Sequence, residues 1–282
     1  MCKKYGSSQI QGKRLLIDDK YKMLQCSIAK SACTTWKGLW ENANFKNRHN
    51  SHKNFSEIEA NSVHTTYLWK AGLKFDAIEN IYQYTNFLKF VVVRNPFDRI
   101  YSAYLNAMFR KPESPGPSQN IKIYLEKLNI RNNRPRNVTF KQFLELILNE
   151  TDSVQQRKYK NDRHWKPIAY QCDLCNIEYD HIIRVETMKY DSGPILTVLG
   201  YPKDYLLLKD FKLNSYRTEQ ENVNKPQFKT SILDVYKSIP LDLYKKFIQM
   251  YWYDLHMLGY DFDLEHNQTV CKCQMRDGTV CC

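Results

Sequence analysis

Apolar residues along the chain fall into two spacings, and the changes from one to the other mark out the elements. "KMLQCS" (22–27) is a short, mostly apolar run and reads as a buried strand. "FLKFVVV" (87–93) is almost continuously apolar and ends in three valines, which suits the centre of a parallel sheet covered on both faces. "HIIRVE" (181–186) reads as a third strand. Elsewhere the period lengthens to that of a helix. "TTWKGLWEN" (34–42) opens one helix, with Thr34 or Thr35 near its cap. "PFDRIYSAYLNAMF" (96–109) is a second, with Pro96 in its first turn. "TFKQFLELILNE" (139–150) is amphipathic, with Thr139 as the cap. "LDLYKKFIQMYWYDLHMLGY" (241–260) is a long C-terminal helix whose apolar positions form a core face. Strands alternating with helices predict an α/β fold on a three-layer parallel sheet.

The segment 111–136 is the richest in proline, asparagine and charge, and reads as a surface excursion around a short helix, "IKIYLEKL" (121–128). The apolar segments on its two sides need each other for a core. The expectation is therefore a single domain over residues 1–282, ending in a Cys-rich tail at 271–282. No apolar run approaches 18 residues, and the N-terminus lacks the apolar core of a signal peptide. On that reading the protein is cytosolic or this chain lacks its original N-terminus.

Two loops leave strands and enter helices, where α/β sheets hold their ligands at a reversal of strand order. The first, "SIAKSACTTW" (27–36), looks like an anion cradle without a glycine. Backbone N–H groups over Ser31, Ala32 and Cys33 at the helix start can hold a phosphate, Lys30 adds a charge, and Thr34 and Thr35 add hydroxyls. A capped helix with a solvated lysine would show the same letters. A nucleoside triphosphate loop needs G-x-x-x-x-G-K-[S/T], whereas here the lysine precedes the hydroxyls and the glycines are missing, which disfavours ATP. The second loop, "VVRNPFDRIYSAY" (92–104), offers Arg94 at the strand end and Ser102 two turns into the helix. Arg94 could instead form a salt bridge beneath the helix, and Arg99 reads as pairing with Asp98 or facing water. Two phosphate-type sites about one nucleotide apart suit a nucleotide phosphorylated at both 5′ and 3′ positions. That is the sulfate donor 3′-phosphoadenosine 5′-phosphosulfate.

These motifs resemble those of the Golgi carbohydrate sulfotransferases of the chondroitin and dermatan 4-O type. "AKSACTTWK" (29–37) is similar to the family's 5′-phosphosulfate loop, and "VVVRNPFDRIYSAY" (91–104) to its 3′-phosphate motif. "DRHWKPIAYQCDLCNIEYDHIIRVET" (162–187) resembles a third block, and "CKKYG" (2–6) and "YDLHMLGYDF" (253–262) have counterparts too. The resemblance thus covers nearly the whole chain. It implies a P-loop-like nucleotide-binding core, the phosphosulfate donor as co-substrate, and no metal. It also implies a glycan acceptor, a glycosaminoglycan such as chondroitin or dermatan, and no nucleic acid partner. The implied location is the Golgi lumen, as a type II membrane protein whose anchor this chain lacks. Two positions depart from the pattern: Ala29 stands where the family has proline, and Asn95 where it has aspartate. They leave a catalytically weak or inactive glycan-binding relative as the alternative.

Sulfuryl transfer to a sugar hydroxyl follows the in-line template of phosphoryl transfer, with charge spreading over the equatorial oxygens. Lys30 would stabilise the bridging oxygen of the leaving phosphate. A general base must take the acceptor proton, and His164 in "NDRHWKP" is the candidate, with Asp162 to orient it. The competing role for His164 is structural, stacked on Trp165. His256 reads as core.

Charge and cysteine usage change the picture only at the margin. The formal net charge of +12 favours anionic partners without choosing among them, and it suits a polyanion-binding module equally well. A kinase-like phosphotransferase would need magnesium and the missing glycine loop. Nine cysteines, four of them in the last twelve residues, point to disulfides in an oxidising compartment, with a metal-binding or merely variable tail as the alternative. "CDLC" (172–175) lacks a second pair at zinc spacing, so its cysteines also read as disulfides. Four N-x-[S/T] sequons, at Asn54, Asn137, Asn149 and Asn267, agree with a lumenal location.

Overall fold

A computed structural model describes residues 14–49, 74–77, 81–109, 138–148, 162–208, 232–260, 273–274 and 280–281. In chain order the main elements are β1 (Arg14–Asp18), β2 (Met23–Cys26), α1 (Cys33–His49), β3 (Lys74–Ala77), β4 (Leu88–Val93), α2 (Pro96–Phe109) and α3 (Phe140–Leu148). They continue with α4 (Ile168–Cys172), β5 (His181–Arg184), α5 (Met188–Asp191), α6 (Gly193–Val198), α7 (Tyr205–Leu208), α8 (Ile232–Lys237) and α9 (Leu241–Leu258). The chain forms two compact units. One takes in the described residues up to Arg94 and from Ile168 to 208; the other takes in those from Asn95 to Pro167 and from 232 onward.

The first unit is built on a five-stranded sheet in the order β3-β1-β2-β4-β5. β2, β4 and β5 are parallel, as the apolar runs predicted. All four residues of β2 and the last four of β4 are buried, which is what a strand covered on both faces requires. The sheet as a whole is mixed, which corrects the expectation of a parallel one: β1 pairs antiparallel with both β2 and β3. The cause is local. Asp18, 2% exposed, accepts hydrogen bonds from the N–H groups of Lys20 (2.9 Å) and Tyr21 (3.1 Å) and closes the tight turn after β1. Strands joined by so short a turn can only be antiparallel. The same carboxylate accepts from the Trp40 indole and the Asn44 amide, so it also pins α1 to the hairpin.

α1 covers one face of this sheet. Trp36, Leu39, Trp40 and Ala43 are fully buried against Leu16, Met23, Phe90, Val92 and Ile183, with Phe90 5.4 Å from Trp36 and 5.7 Å from Trp40. α5, α6 and α7 complete the layer through Met188, Ile195, Leu196 and Leu206, and the Tyr201 hydroxyl donates to the Leu39 carbonyl (2.9 Å). A disulfide joins Cys26, the last residue of β2, to Cys172, the last residue of α4, with Cα atoms 5.6 Å apart.

The second unit is helical, with an aromatic core. Phe97 of α2 meets Tyr236 edge-on (4.7 Å) and Phe247 (5.0 Å), Phe140 meets Tyr236 (5.1 Å), and Phe143 meets Trp165 at 90° (5.6 Å). α3 begins as expected at Thr139, in a capping box: Thr139 Oγ1 accepts from Gln142 N, and Gln142 Oε1 accepts from Thr139 N. The core face of α9 holds Leu243, Phe247, Tyr251, Leu255 and Leu258, and the helix ends at Gly259 in the left-handed region (φ 69°). His256 is not part of that face, contrary to expectation. It lies on the exposed side, its ring 3.6 Å from that of Trp252 one turn earlier, because its helical phase opposes the apolar stripe.

The excursion at 111–136 with its helix at 121–128 and all four sequon asparagines lie outside the described residues. Of the Cys-rich tail, Cys273–Gln274 and Val280–Cys281 pair as two short antiparallel strands.

The Cys26–Cys172 bridge spans a sequence separation of 146 residues. Removing it by a paired Cys26→Ser, Cys172→Ser exchange is expected to lower stability by about 2–5 kcal/mol, read from denaturant unfolding. An unchanged midpoint would mean that the bridge contributes nothing to the fold.

Candidate active site

The turn between β2 and α1 is made without glycine at a backbone cost. Lys30 (φ 68°) and Ala32 (φ 50°) both occupy the left-handed region, which residues with a Cβ rarely adopt. Such outliers cluster where a ligand is held. The Trp36 N–H donates to the Ala32 carbonyl (3.1 Å), so Ala32 is the capping residue. Thr34 and Thr35 therefore sit inside the first turn rather than at the cap, a shift of two to three residues from the sequence expectation. The first turn of α1 begins at Cys33, and the N–H groups of a helix's first turn point outward from its start. α1 carries no acidic residue in its first turn, the place where one would complement the positive end of the helix dipole. Ser31, 1% exposed, has a hydroxyl with no hydrogen-bond partner. Thr35 is buried, while Lys30, Cys33 and Thr34 are half-buried, and Cys33 is a free thiol. A helix start, a half-buried lysine and an unsatisfied buried hydroxyl are the ingredients of which anion-binding loops are made.

Arg94 belongs to the same unit. β2 and β4 are neighbours, run parallel and are in register with Cys26 opposite Val91, so the loops that follow them leave the same edge of the sheet. Arg94 Nη1 donates to the Lys30 carbonyl at 3.4 Å, a long contact that joins the two loops. The reversal of strand order expected at a ligand edge falls between these two strands: the chain passes from β2 to β3 on one side of the pair and from β4 to β5 on the other.

In the second unit Asn95 caps α2. Its Oδ1 accepts from the Phe97 N–H (3.0 Å), its carbonyl accepts from the Arg99 N–H (2.8 Å), and Pro96 takes the first helical position. Asparagine and aspartate cap about equally well, so the change from the family's aspartate preserves this job. Ser102 is half-buried on α2. His164 lies in a turn where Asp162 Oδ1 accepts from its backbone N–H (2.9 Å) and faces its Nδ1 at 2.7 Å. That contact orients the ring and leaves Nε2 as the nitrogen available for chemistry. The His164 side chain is 23% exposed. It does not stack on Trp165, whose centroid is 6.3 Å away at 40°; Trp165 is buried against Phe143 instead.

Arg99 is the largest surprise. It does not face water: it is 0% exposed, and its Nη2 donates to the carbonyls of Arg163 (3.3 Å) and Lys166 (2.8 Å). Desolvation pushes its pKa below the usual arginine value, while the charge of buried Asp254 and the neighbouring Tyr251 oppose that shift. One letter signalled this arrangement: Asp254 interrupts the apolar stripe of α9, and a carboxylate on a core face calls for a buried cation. In "CDLC", Cys172 bonds to Cys26 and Cys175 is disulfide-bonded as well, so neither is a thiolate ligand. Among the described residues no group of three His, Cys, Asp or Glu is placed to hold a metal ion.

These features meet a family match that covers most of the sequence. The model of the sulfotransferase family matches residues 13–261, and the chain belongs to that family. Its curated relatives are carbohydrate sulfotransferases. It is 26% identical to carbohydrate sulfotransferase 11 of Rattus norvegicus over 241 residues, covering 80% of this chain and 65% of that protein. It is 28% identical to carbohydrate sulfotransferase 9 of Homo sapiens over 239 residues (78% and 50%). It is 25% identical to carbohydrate sulfotransferase 14 of Danio rerio over 259 residues (87% and 62%). The chain thus spans about half to two thirds of the length of these relatives. No solved structure matches it.

The left-handed turn makes a direct test. A non-glycine residue in this region costs roughly 1–2 kcal/mol, and glycine gives back part of that through unfolded-state entropy. Ala32→Gly is therefore expected to raise stability by about 0.5–1 kcal/mol in urea unfolding, and Ala32→Val to lower it. A loss of stability in Ala32→Gly would show that the turn is not strained.

Proposed function

We propose that the protein is a carbohydrate sulfotransferase that moves a sulfuryl group from 3′-phosphoadenosine 5′-phosphosulfate to a glycan hydroxyl. The observation that carries the reading is the cradle at Lys30–Thr35, with its two left-handed residues, its helix N-terminus and the buried, unpartnered Ser31 hydroxyl. In this reading the 5′-phosphosulfate rests on the N–H groups of Ala32 to Thr35 and the Ser31 hydroxyl, with the hydroxyls of Thr34 and Thr35 beside it. Arg94 and Ser102 bind the 3′-phosphate. The core is then the P-loop-like, three-layer type that the family resemblance implied.

The step is an in-line displacement. The acceptor oxygen attacks sulfur, the bond from sulfur to the bridging oxygen breaks, and adenosine 3′,5′-bisphosphate leaves. Lys30 neutralises the charge that grows on the bridging oxygen. His164 Nε2 takes the proton from the acceptor hydroxyl, with Nδ1 held by Asp162. The transferred group carries a single negative charge, so a lysine and backbone amides serve where phosphoryl transfer uses magnesium.

The acceptor in this reading is a glycosaminoglycan such as chondroitin or dermatan, and the +12 charge suits an anionic chain. The location is the Golgi lumen, supported by the Cys26–Cys172 disulfide, which needs an oxidising compartment. No helix among the described residues is long and apolar enough to cross a membrane. Asn95 still caps α2, which favours an active enzyme over an inactive glycan-binding relative. The direct test is incubation with radiolabelled sulfate donor and a panel of desulfated glycans, where failure to label any of them would favour the inactive relative.

Donor recognition has a sharper readout. Adenosine 3′,5′-bisphosphate is expected to raise the melting temperature, and ATP with magnesium to do much less. Arg94→Ala removes a charge-assisted contact of about 1.5–3 kcal/mol, so bisphosphate affinity falls roughly 10- to 150-fold in calorimetric titration. Equal stabilisation by ATP and the bisphosphate overturns the donor assignment.

The base has its own signature. His164→Ala is expected to lower kcat by ~10²–10⁴-fold with donor affinity nearly unchanged. Lys30→Ala should weaken donor binding and turnover together. A His164→Ala enzyme that keeps more than about a third of wild-type kcat places the base elsewhere.

A further inference from the structure

Resting on the base role just proposed for His164, we infer that Arg99, with Tyr251 and Asp254, is a positioning device for that histidine. The turn at 162–166 is held from outside by its carbonyls. Arg99 Nη2 takes the carbonyl one residue before His164 (Arg163, 3.3 Å) and the carbonyl two residues after it (Lys166, 2.8 Å). The Tyr251 hydroxyl takes the one in between, Trp165, at 2.6 Å. From inside, the N–H groups of Trp165 (3.2 Å) and Lys166 (2.8 Å) close onto the Asp162 carbonyl. Asp162 is the residue whose side chain holds the His164 ring. Rotation of the Arg163–His164 or the Trp165–Lys166 peptide would break an external bond and an internal one.

The expense of the arrangement points to a purpose beyond packing. Arg99 and Asp254 are both 0% exposed and interact electrostatically, and burying two opposite charges contributes little to stability compared with apolar side chains of similar size. α9 also departs from helical geometry at Tyr251 (φ −101°, ψ 15°), the residue whose hydroxyl makes the central bond. A buried charge and a distorted helix both serve one five-residue turn that carries the candidate base. Aligning a base with its proton to within a fraction of an ångström is the kind of effect such a brace supplies. Arg99 acts through the backbone of His164 and has no contact with the reacting atoms in this assignment.

Arg99→Lys tests it, because the ammonium keeps the charge beside Asp254 but ends one bond short of the guanidinium nitrogen. The experiment is a double-mutant cycle on the full chain, with Arg99→Lys made in the wild-type and in the His164→Ala backgrounds. Readouts are kcat, the Kd of adenosine 3′,5′-bisphosphate and the thermal transition. In the wild-type background kcat is expected to fall about 10- to 100-fold, with the bisphosphate Kd moving by less than about 3-fold. In the His164→Ala background the same change should lower kcat by less than about 2-fold, because the group being positioned is gone. Equal losses in the two backgrounds, or wild-type kcat in Arg99→Lys, overturn the inference. The His164→Ala arm alone reports on the base: if that variant turns over normally, the base role falls and the brace falls with it, independently of any Arg99 result. Should Arg99→Lys lose its cooperative melting transition, Tyr251→Phe, which removes only the hydroxyl on the Trp165 carbonyl, carries the same cycle with the same two criteria.

Discussion

The hydrogen-bonded register between β2 and β4 is the constraint on which the anion cradle depends. With Cys26 level with Val91 in a parallel pair, the chain must leave the sheet twice at the same edge, one strand apart. Lys30 and Arg94 come together for that reason, although 64 residues separate them in sequence. The apolar faces of the two strands enforce the register. A slip by one residue would turn Met23 and Phe90 out of the cluster built around Trp36 and Trp40 and drive the opposite face into it. Asp18 secures the arrangement from the other side of β2 by closing the hairpin and holding α1 through Trp40 and Asn44.

The second unit places its chemistry by a different logic. There the frame is a cluster of edge-on aromatic rings, and three phenol hydroxyls enter it with partners. The Tyr104, Tyr236 and Tyr251 hydroxyls each donate to a backbone carbonyl. Burial pushes the Tyr104 phenol up to about 12 and raises those of Tyr236 and Tyr251 well above the usual phenol value, so all three remain donors across the physiological range. They fix main-chain segments without changing charge.

Much of this was legible in the sequence, for reasons that differ by element. β4 and α2 show themselves because a run of valines and a proline-led amphipathic stretch each have one stable use. The capping box at Thr139 and Gln142 is likewise a local code. β1 escaped because "RLLID" is short and its pairing depends on a turn that Asp18 organises through tertiary contacts with Trp40 and Asn44. The candidate site was legible in its charges and hydroxyls, since Lys30, Arg94 and His164 stand in recognisable spacings. Arg99 was misread because a guanidinium beside an aspartate looks like surface chemistry. Its partners are carbonyls 64 and 67 residues away, and backbone acceptors leave no trace in the letters.

The glycine-free turn at Lys30 and Ala32 has a kinetic corollary. A glycine loop samples many shapes when empty and must lose that freedom each time an anion arrives. Here the unfavourable dihedrals are accepted once, during folding, and two Cβ atoms narrow the empty loop to few alternatives. For the donor proposed above, association would then be a docking step rather than a search.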